Sequence, residues 1–274
     1  MSLSIPRTLP GMPESTRRPV SEAETERANR GDWDRTADDY QAEHGEFLRD
    51  VGFIWSPEGL DEEDAMLLGD ARDRWVLEVG CGAGQCGRWL VNQGANVVGF
   101  DLSMRQLQHS RRIDESSGVV LPIVCATATT IPFADASFDL AFSAYGALPF
   151  VLDAGAVLRG VARTLRPGGR FVFSVSHPTR WTLLDDPGPG GLTVEKSYFD
   201  RSPYVELGED GEATYVEHHR TFGDWIRAAH AAGFEVYDVV EPEWPEDHDR
   251  AWGGWSPERG RLTPGTAIFC CRLR

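Results

Sequence analysis

Residues 75 to 101 read WVLEVGCGAGQCGRWLVNQGANVVGFD, and this stretch narrows the possible folds more than any other. Val76, Leu77 and Val79 form a short apolar run of buried-strand type. Gly80, Gly82 and Gly84 follow at alternate positions. Glycine accepts positive φ and lets a ligand approach the backbone with no Cβ in the way. A helix is predicted from about Gln85, and its first N–H groups, unpaired within the helix, point at whatever sits in the loop. Val97, Val98 and Phe100 form a second strand that closes on Asp101. A carboxylate there can accept from both hydroxyls of a ribose. The stretch therefore predicts a βαβ unit that binds a nucleoside.

Two nucleosides compete. Gly82 to Gly87 fits G-x-G-x-x-G, and Asp101 stands at dinucleotide spacing. The fuller pattern is Glu78-x-Gly80-x-Gly82-x-Gly84. An acid at the mouth would repel a pyrophosphate but can help hold an ammonium, directly or through water. S-adenosylmethionine carries an ammonium and a sulfonium and no phosphate, so charge favours it over NAD. A glycine turn with no ligand is the bland alternative.

The chain resembles the class I S-adenosylmethionine-dependent methyltransferases, closely over about residues 33 to 175 and loosely beyond. VLEVGCGAG is similar to their first motif, GFDLS to the acid after the second strand, IPFADASFDLAFS to the third and fourth strand region, and LRPGGRFVFS to the turn into the fifth strand. The resemblance implies S-adenosyl-L-methionine as cofactor and methyl transfer to a small molecule, releasing S-adenosylhomocysteine. It places Glu78, Gly80, Gly82 and Gly84 at the methionine end, Asp101 on the ribose and Leu102 beside the adenine. Where the family often has an acid for the adenine amino group, this chain has Thr127, followed by Ala128. An N-terminal helical cap, here about residues 31 to 70 with Tyr40, lies over the cofactor in such proteins. The other two functions weighed are a non-catalytic S-adenosylmethionine-binding protein and an NAD-dependent oxidoreductase.

The remaining pattern is α/β. Ser103 caps a helix to about Ser117, and strands are predicted at 119–125, 138–144 and 170–176. A helix over 153–165 ends at Pro167-Gly168-Gly169. Thr221 and Asp224 open another helix, and strands at 234–240 and 266–273 finish the chain; the resemblance makes the second an antiparallel edge strand. Such alternation implies a doubly wound, mostly parallel, seven-stranded Rossmann-like sheet. Ligands of such sheets lie at the carboxyl ends of the strands, which gathers Glu78, Asp101, Thr127, Ser143 and His177 at one mouth. His177, just past the fifth strand, is the candidate general base, with a structural hydrogen bond as its alternative role.

Residues 178 to 220 break the alternation and are predicted as a β-hairpin lid, with strands over 197–205 and 212–220. With Tyr145 at the end of the fourth strand, the lid's Arg180, Tyr198, Arg201 and His219 are the candidate substrate contacts. Strand alternation lets only one of His218 and His219 face a pocket, leaving the other solvated. The Trp-rich acidic segment 241–257 reads as a substrate rim or a homodimer contact.

Composition sets limits. A net charge of −16 argues against nucleic acid and anionic membranes as partners. Five cysteines with no C-x-x-C pair suit reduced thiols and the cytoplasm, and no metal site is expected. A reactive thiol at Cys81 or Cys86 is weighed against buried filler. Residues 1 to 29 mix Pro, Ser, Glu and Arg and are expected to be largely disordered ahead of a single domain over 30–274.

Overall fold

The computed structural model describes residues 14–184 and 186–274. The central sheet comprises β2 (Trp75–Val79), β3 (Asn96–Asp101), β4 (Ile123–Cys125), β5 (Phe138–Ser143), β6 (Leu165–Ser176), β9 (Phe234–Val240) and β10 (Thr266–Leu273), close to the predicted runs except that β4 is shorter and β6 begins at Leu165, taking Pro167-Gly168-Gly169 into the strand. Their order is β4-β3-β2-β5-β6-β10-β9. The first five are parallel, and β10 runs antiparallel to both β6 and β9. The sheet is thus doubly wound and mostly parallel, with one correction: β10 is not the edge but inserts between β6 and β9. Burial explains the order. Ala267 to Cys271 are all buried, as a strand covered on both faces must be.

Helices α3 (Gln85–Asn92), α4 (Met104–Ser117), α5 (Ala154–Thr164) and α6 (Phe222–Ala231) cover the two faces. One core joins α5 and α6 to the sheet through Val157, Leu158, Trp225, Phe173 and Phe269. The other lies beneath Phe53, Trp55, Leu68 and Leu90. Short helices α2 (Glu62–Ala65) and α7 (Pro257–Gly260) sit in the connections. The local signals act as anticipated. Ser103 Oγ accepts from the Gln106 N–H at 3.1 Å, and Thr221 with Asp224 forms a reciprocal capping box.

The N-terminal reading needs correction from residue 14 onward; residues 1–13 lie outside the described residues. Helix α1 spans Glu22–Leu48, starting well before Gly31, with Ser21 as its cap. Strand β1 (Glu14–Arg17) pairs antiparallel with β7 (Tyr204–Leu207), which pairs with β8 (Ala213–Glu217). The predicted hairpin is therefore a three-stranded sheet with shorter strands. Asn29 ties α1 to it: its side-chain amide donates to the Val216 and Phe150 carbonyls and accepts from the Val216 N–H, at 2.8–2.9 Å. Compositional polarity hid this contact, because it is made by hydrogen bonds to strand backbone rather than by apolar packing.

Candidate functional site

Two turns at the carboxyl ends of β2 and β5 build the floor of a cleft. Gly80, Gly82 and Gly84 all have positive φ, of 69°, 52° and 76°. A Cβ on Gly80 would meet the Ala147 nitrogen at 2.6 Å, and one on Gly146 would run into the Val79 and Gly80 carbonyl oxygens. Nothing lies within 4 Å of the Cβ direction of Gly82, so its face is open to a ligand. The two turns are locked together by Ser143, whose Oγ donates to the Val79 carbonyl at 2.8 Å.

Around this floor a cavity is lined by Glu78, Gly80, Gly82, Asp101, Leu102, Thr127 and Ala128, with Tyr40 and Trp33 of α1 above. Gly84 and Ser143, assigned to the cofactor by sequence, do not line it. Gly84 caps α3, and a Cβ there would strike Leu121 at 2.6 Å. Ser143 is fully buried and spends its hydroxyl on the turn. Both position the site without touching its space. Conversely Glu22, Glu26 and Asn29 line the cavity and were missed, because they fall in the stretch expected to be disordered.

The electrostatics of the cavity are those of a cation site. Glu78 is 4 % exposed, and its Oε2 has no hydrogen-bond partner. Burial pushes its pKa up to about 8, against the pull of the Arg88 guanidinium and the Gly87 N–H. The unpartnered Oε2 packs toward Gly87 of α3, while the residue lines the cleft floor. Asp101 Oδ2 accepts from the Gly82 N–H and Oδ1 from the Ser103 N–H, both at 2.8 Å. Each carboxylate oxygen keeps a further acceptor position for a ligand hydroxyl. Burial is also the main cause that raises the Asp101 pKa. A ligand with an ammonium at one end and a diol at the other fits this pair of acids. Cys81 and Cys86 share the lining, but burial holds both thiols well above their ordinary pKa, so neither is an activated nucleophile.

The cleft continues into a second chamber of about 260 Å³. Trp33, Tyr40, Tyr145 and Phe150 line both spaces. Trp252, Trp255, Tyr215, Glu217 and Arg180 line the chamber and not the cleft. Trp252 stacks on His44 of α1 at 3.7 Å, nearly parallel, and Arg180 lies 4.7 Å over Trp255. The Trp-rich segment is therefore a rim of this chamber. Glu217 accepts from Ser176 Oγ at 3.0 Å and from the Tyr215 hydroxyl at 3.1 Å.

Several predicted contacts lie elsewhere. His177 is 3 % exposed and lines neither space. Its Nδ1 accepts from the Thr179 N–H at 3.2 Å, so Nε2 carries the proton and donates to Glu241 at 2.8 Å. Burial lowers its pKa, partly offset by Glu241. The Pro178 turn carries the ring against Phe222 of α6 instead of into the mouth. His177 thus stands outside both spaces, in the structural hydrogen bond that is its alternative role. Tyr198 accepts the Phe222 N–H on its hydroxyl, and Arg201 pairs with Asp224 on the surface. His219 hydrogen-bonds the Tyr198 carbonyl oxygen at 2.8 Å. None of these three reaches the chamber. Nor is either hairpin histidine solvated: His218 is buried too, 3.3 Å from Thr25 Oγ1 of α1. Both histidines lie just past the end of β8 rather than within it, and both are buried. Among the described residues no cluster of His, Cys, Asp and Glu is arranged to hold a metal, and no helix is long and apolar enough to cross a membrane.

Comparison with known proteins places the chain. A family model described as a methyltransferase domain matches residues 77–173. A sarcosine/dimethylglycine N-methyltransferase of Halorhodospira halochloris is 34% identical over 217 residues, covering 72% of this chain and 75% of that protein. A malonyl-[acyl-carrier protein] O-methyltransferase of Pseudescherichia vulneris is 36% identical over 107 residues; the match covers 39% of this chain and spans 41% of that relative's length. The crystal structure of an S-adenosylmethionine dependent methyltransferase from Mesorhizobium loti matches with a TM-score of 0.61 at 28% identity, over 79% of this chain and 100% of that one.

Proposed function

We propose, for a chain that belongs to the class I S-adenosylmethionine-dependent methyltransferase family, that it methylates a small molecule held in the aromatic chamber. One observation carries this: the cofactor cleft continues into an aromatic-lined space of small-molecule size, with Tyr145 lining both. When bound, the cofactor supplies an electrophilic methyl group on a sulfonium. Glu78 would hold its ammonium, Asp101 its ribose diol, and Leu102, Thr127 and Ala128 would border its adenine. Tyr40 and Trp33 would cover it from above.

The chamber's own residues do the rest. Aromatic walls exclude water and align a flat acceptor, the main requirement of an in-line displacement. Glu217 and Arg180 offer polar recognition at the far wall. Residues 178–220 serve this side as a lid: they contribute Arg180, Tyr215 and Glu217 to the chamber and nothing to the cofactor cleft. The cytoplasm suits its five free cysteines. Labelled S-adenosylmethionine incubated with the protein and a cell-extract metabolite pool tests the reading. Label should appear in a low-mass product with release of S-adenosylhomocysteine. Tight S-adenosylhomocysteine binding with no label transferred would favour a non-catalytic binder.

A further inference from the structure

Tyr145 is unlike the other walls of the chamber. It is a non-glycine residue with φ of 52°, a conformation that L side chains rarely adopt. Such strain persists only where the surroundings over-determine it. Here Ser174 Oγ accepts the Tyr145 N–H at 2.9 Å and donates to the Trp55 carbonyl at 2.8 Å. The phenol is aimed at a hydroxyl: Tyr145 Oη lies 3.0 Å from Thr266 Oγ1. Thr266 in turn donates to Glu58 Oε2 at 2.7 Å, which leaves its oxygen to accept from Tyr145. Glu58 is 2 % exposed, and its Oε1 has no hydrogen-bond partner. Burial raises its pKa, opposed by the Thr266 and Ser56 hydroxyls. A buried acid at the end of a hydroxyl chain is an expensive structural device and a useful proton store.

We propose that Tyr145, Thr266 and Glu58 form a proton relay that takes the proton an O–H acceptor must lose when it is methylated. As the acceptor oxygen bonds the methyl carbon, its O–H bond breaks. The proton passes to Tyr145 Oη, the Tyr145 proton to Thr266 Oγ1, and the Thr266 proton to Glu58 Oε2. The electron pair of the broken S–CH₃ bond stays on sulfur. Tyr145 is the catalytic residue, since it alone of the three lines the chamber; Thr266 and Glu58 are positioning residues that act through it. Tyr215 and Glu217 make a similar pair, but they line no part of the cofactor cleft and open also on a separate pocket beside Arg17 and Trp181, and so belong to recognition. The relay rests on the proposal that this chamber is the methylation site.

The test compares phenol, which must lose a proton, with thiophenol, which reacts as a thiolate that has none to lose. Glu58→Gln and Thr266→Val should lower phenol methylation by about 100-fold, the scale of general-base catalysis, and thiophenol methylation far less. Tyr145→Phe should do the same. In the S-adenosylhomocysteine complex, where no transfer occurs, absorbance of bound 4-nitrophenol reads its ionisation. Glu58→Gln should move that ionisation downward by about one pH unit, because the carboxylate it removes opposes a second negative charge on the phenolate. The acid limb of the wild-type pH profile for phenol should vanish in the same variant. Equal losses with both probes, or an unmoved 4-nitrophenol titration, would overturn the relay. So would wild-type turnover of thiophenol alone, which leaves the methylation site standing. If the wild type binds S-adenosylhomocysteine but neither binds nor methylates any probe, the small-molecule chamber is wrong and the relay falls with it.

Discussion

The two halves of the site are built in opposite ways. The cofactor half takes its floor from one continuous stretch, Glu78 to Ala128, on short turns at the ends of adjacent parallel strands, and its cover from α1. The acceptor half is assembled from α1, Tyr145, the end of β6, β8 and the Trp252–Trp255 turn, which are far apart in sequence. The first is fixed by backbone: positive-φ glycines and carbonyl contacts that tolerate no side chain. The second is fixed by side chains: stacked rings, buried hydrogen bonds and one cation over an aromatic face. A backbone-built site preserves a common ligand, while a side-chain-built chamber can change its acceptor without disturbing the other half.

Breaking the backbone half should have the largest effect. Gly146→Ala should cost about 3 kcal/mol of stability by chemical denaturation, since the methyl must displace carbonyls rather than a flexible side chain. Wild-type stability would show that the two turns are not in rigid contact. Next, Asp101→Ala should keep the fold but lose about 2 kcal/mol of S-adenosylhomocysteine affinity by calorimetry, the value of a hydrogen bond to a charged group. In the acceptor half, Trp252→Ala should raise the acceptor KM about tenfold through lost ring packing, with cofactor affinity unchanged. A parallel loss of cofactor affinity would erase the division between the halves.

The smallest effect is a pH dependence of the join between α1 and β8. Burial lowers the His218 pKa to about 3, reinforced by Arg220. The unfolded chain, with an ordinary value near 6.5, binds the proton first. Stability is therefore complete above about 6.5 and falls as the pH drops toward 3. His218 alone should account for about 1 kcal/mol by pH 5.5. His218→Gln should flatten that slope in denaturant titrations at stepped pH; an unchanged slope would remove His218 as its cause.

The same contrast explains what could be read from sequence. Strand runs and alternate glycines are local signals, and they located β2, β3 and the turn that floors the cleft. Gly84 and Ser143 were assigned to the ligand because sequence gives a residue's place in a turn, not the side its atoms face. The start of α1 was missed because its buried face uses Thr25, Ala28 and Asn29 rather than large apolar residues. His177 was placed at the mouth by the end of β6, yet the direction of its ring is decided by Glu241 and Phe222, far away in sequence. Thr266 and Glu58 carried no local signal at all, since their meaning arises only when β10 inserts beside β6.

The central proposal is that the buried Glu78 holds the cofactor's ammonium, and calorimetry of S-adenosylhomocysteine binding across pH tests it most directly. The carboxylate is the binding form, and its pKa in the free protein is about 8. Affinity should rise with pH, approaching tenfold per unit well below 8 and levelling above it, with a proton released on binding. Glu78→Gln should bind more weakly and lose the slope. Wild-type affinity that does not change with pH, or a Glu78→Gln variant with the wild-type profile, would contradict the assignment.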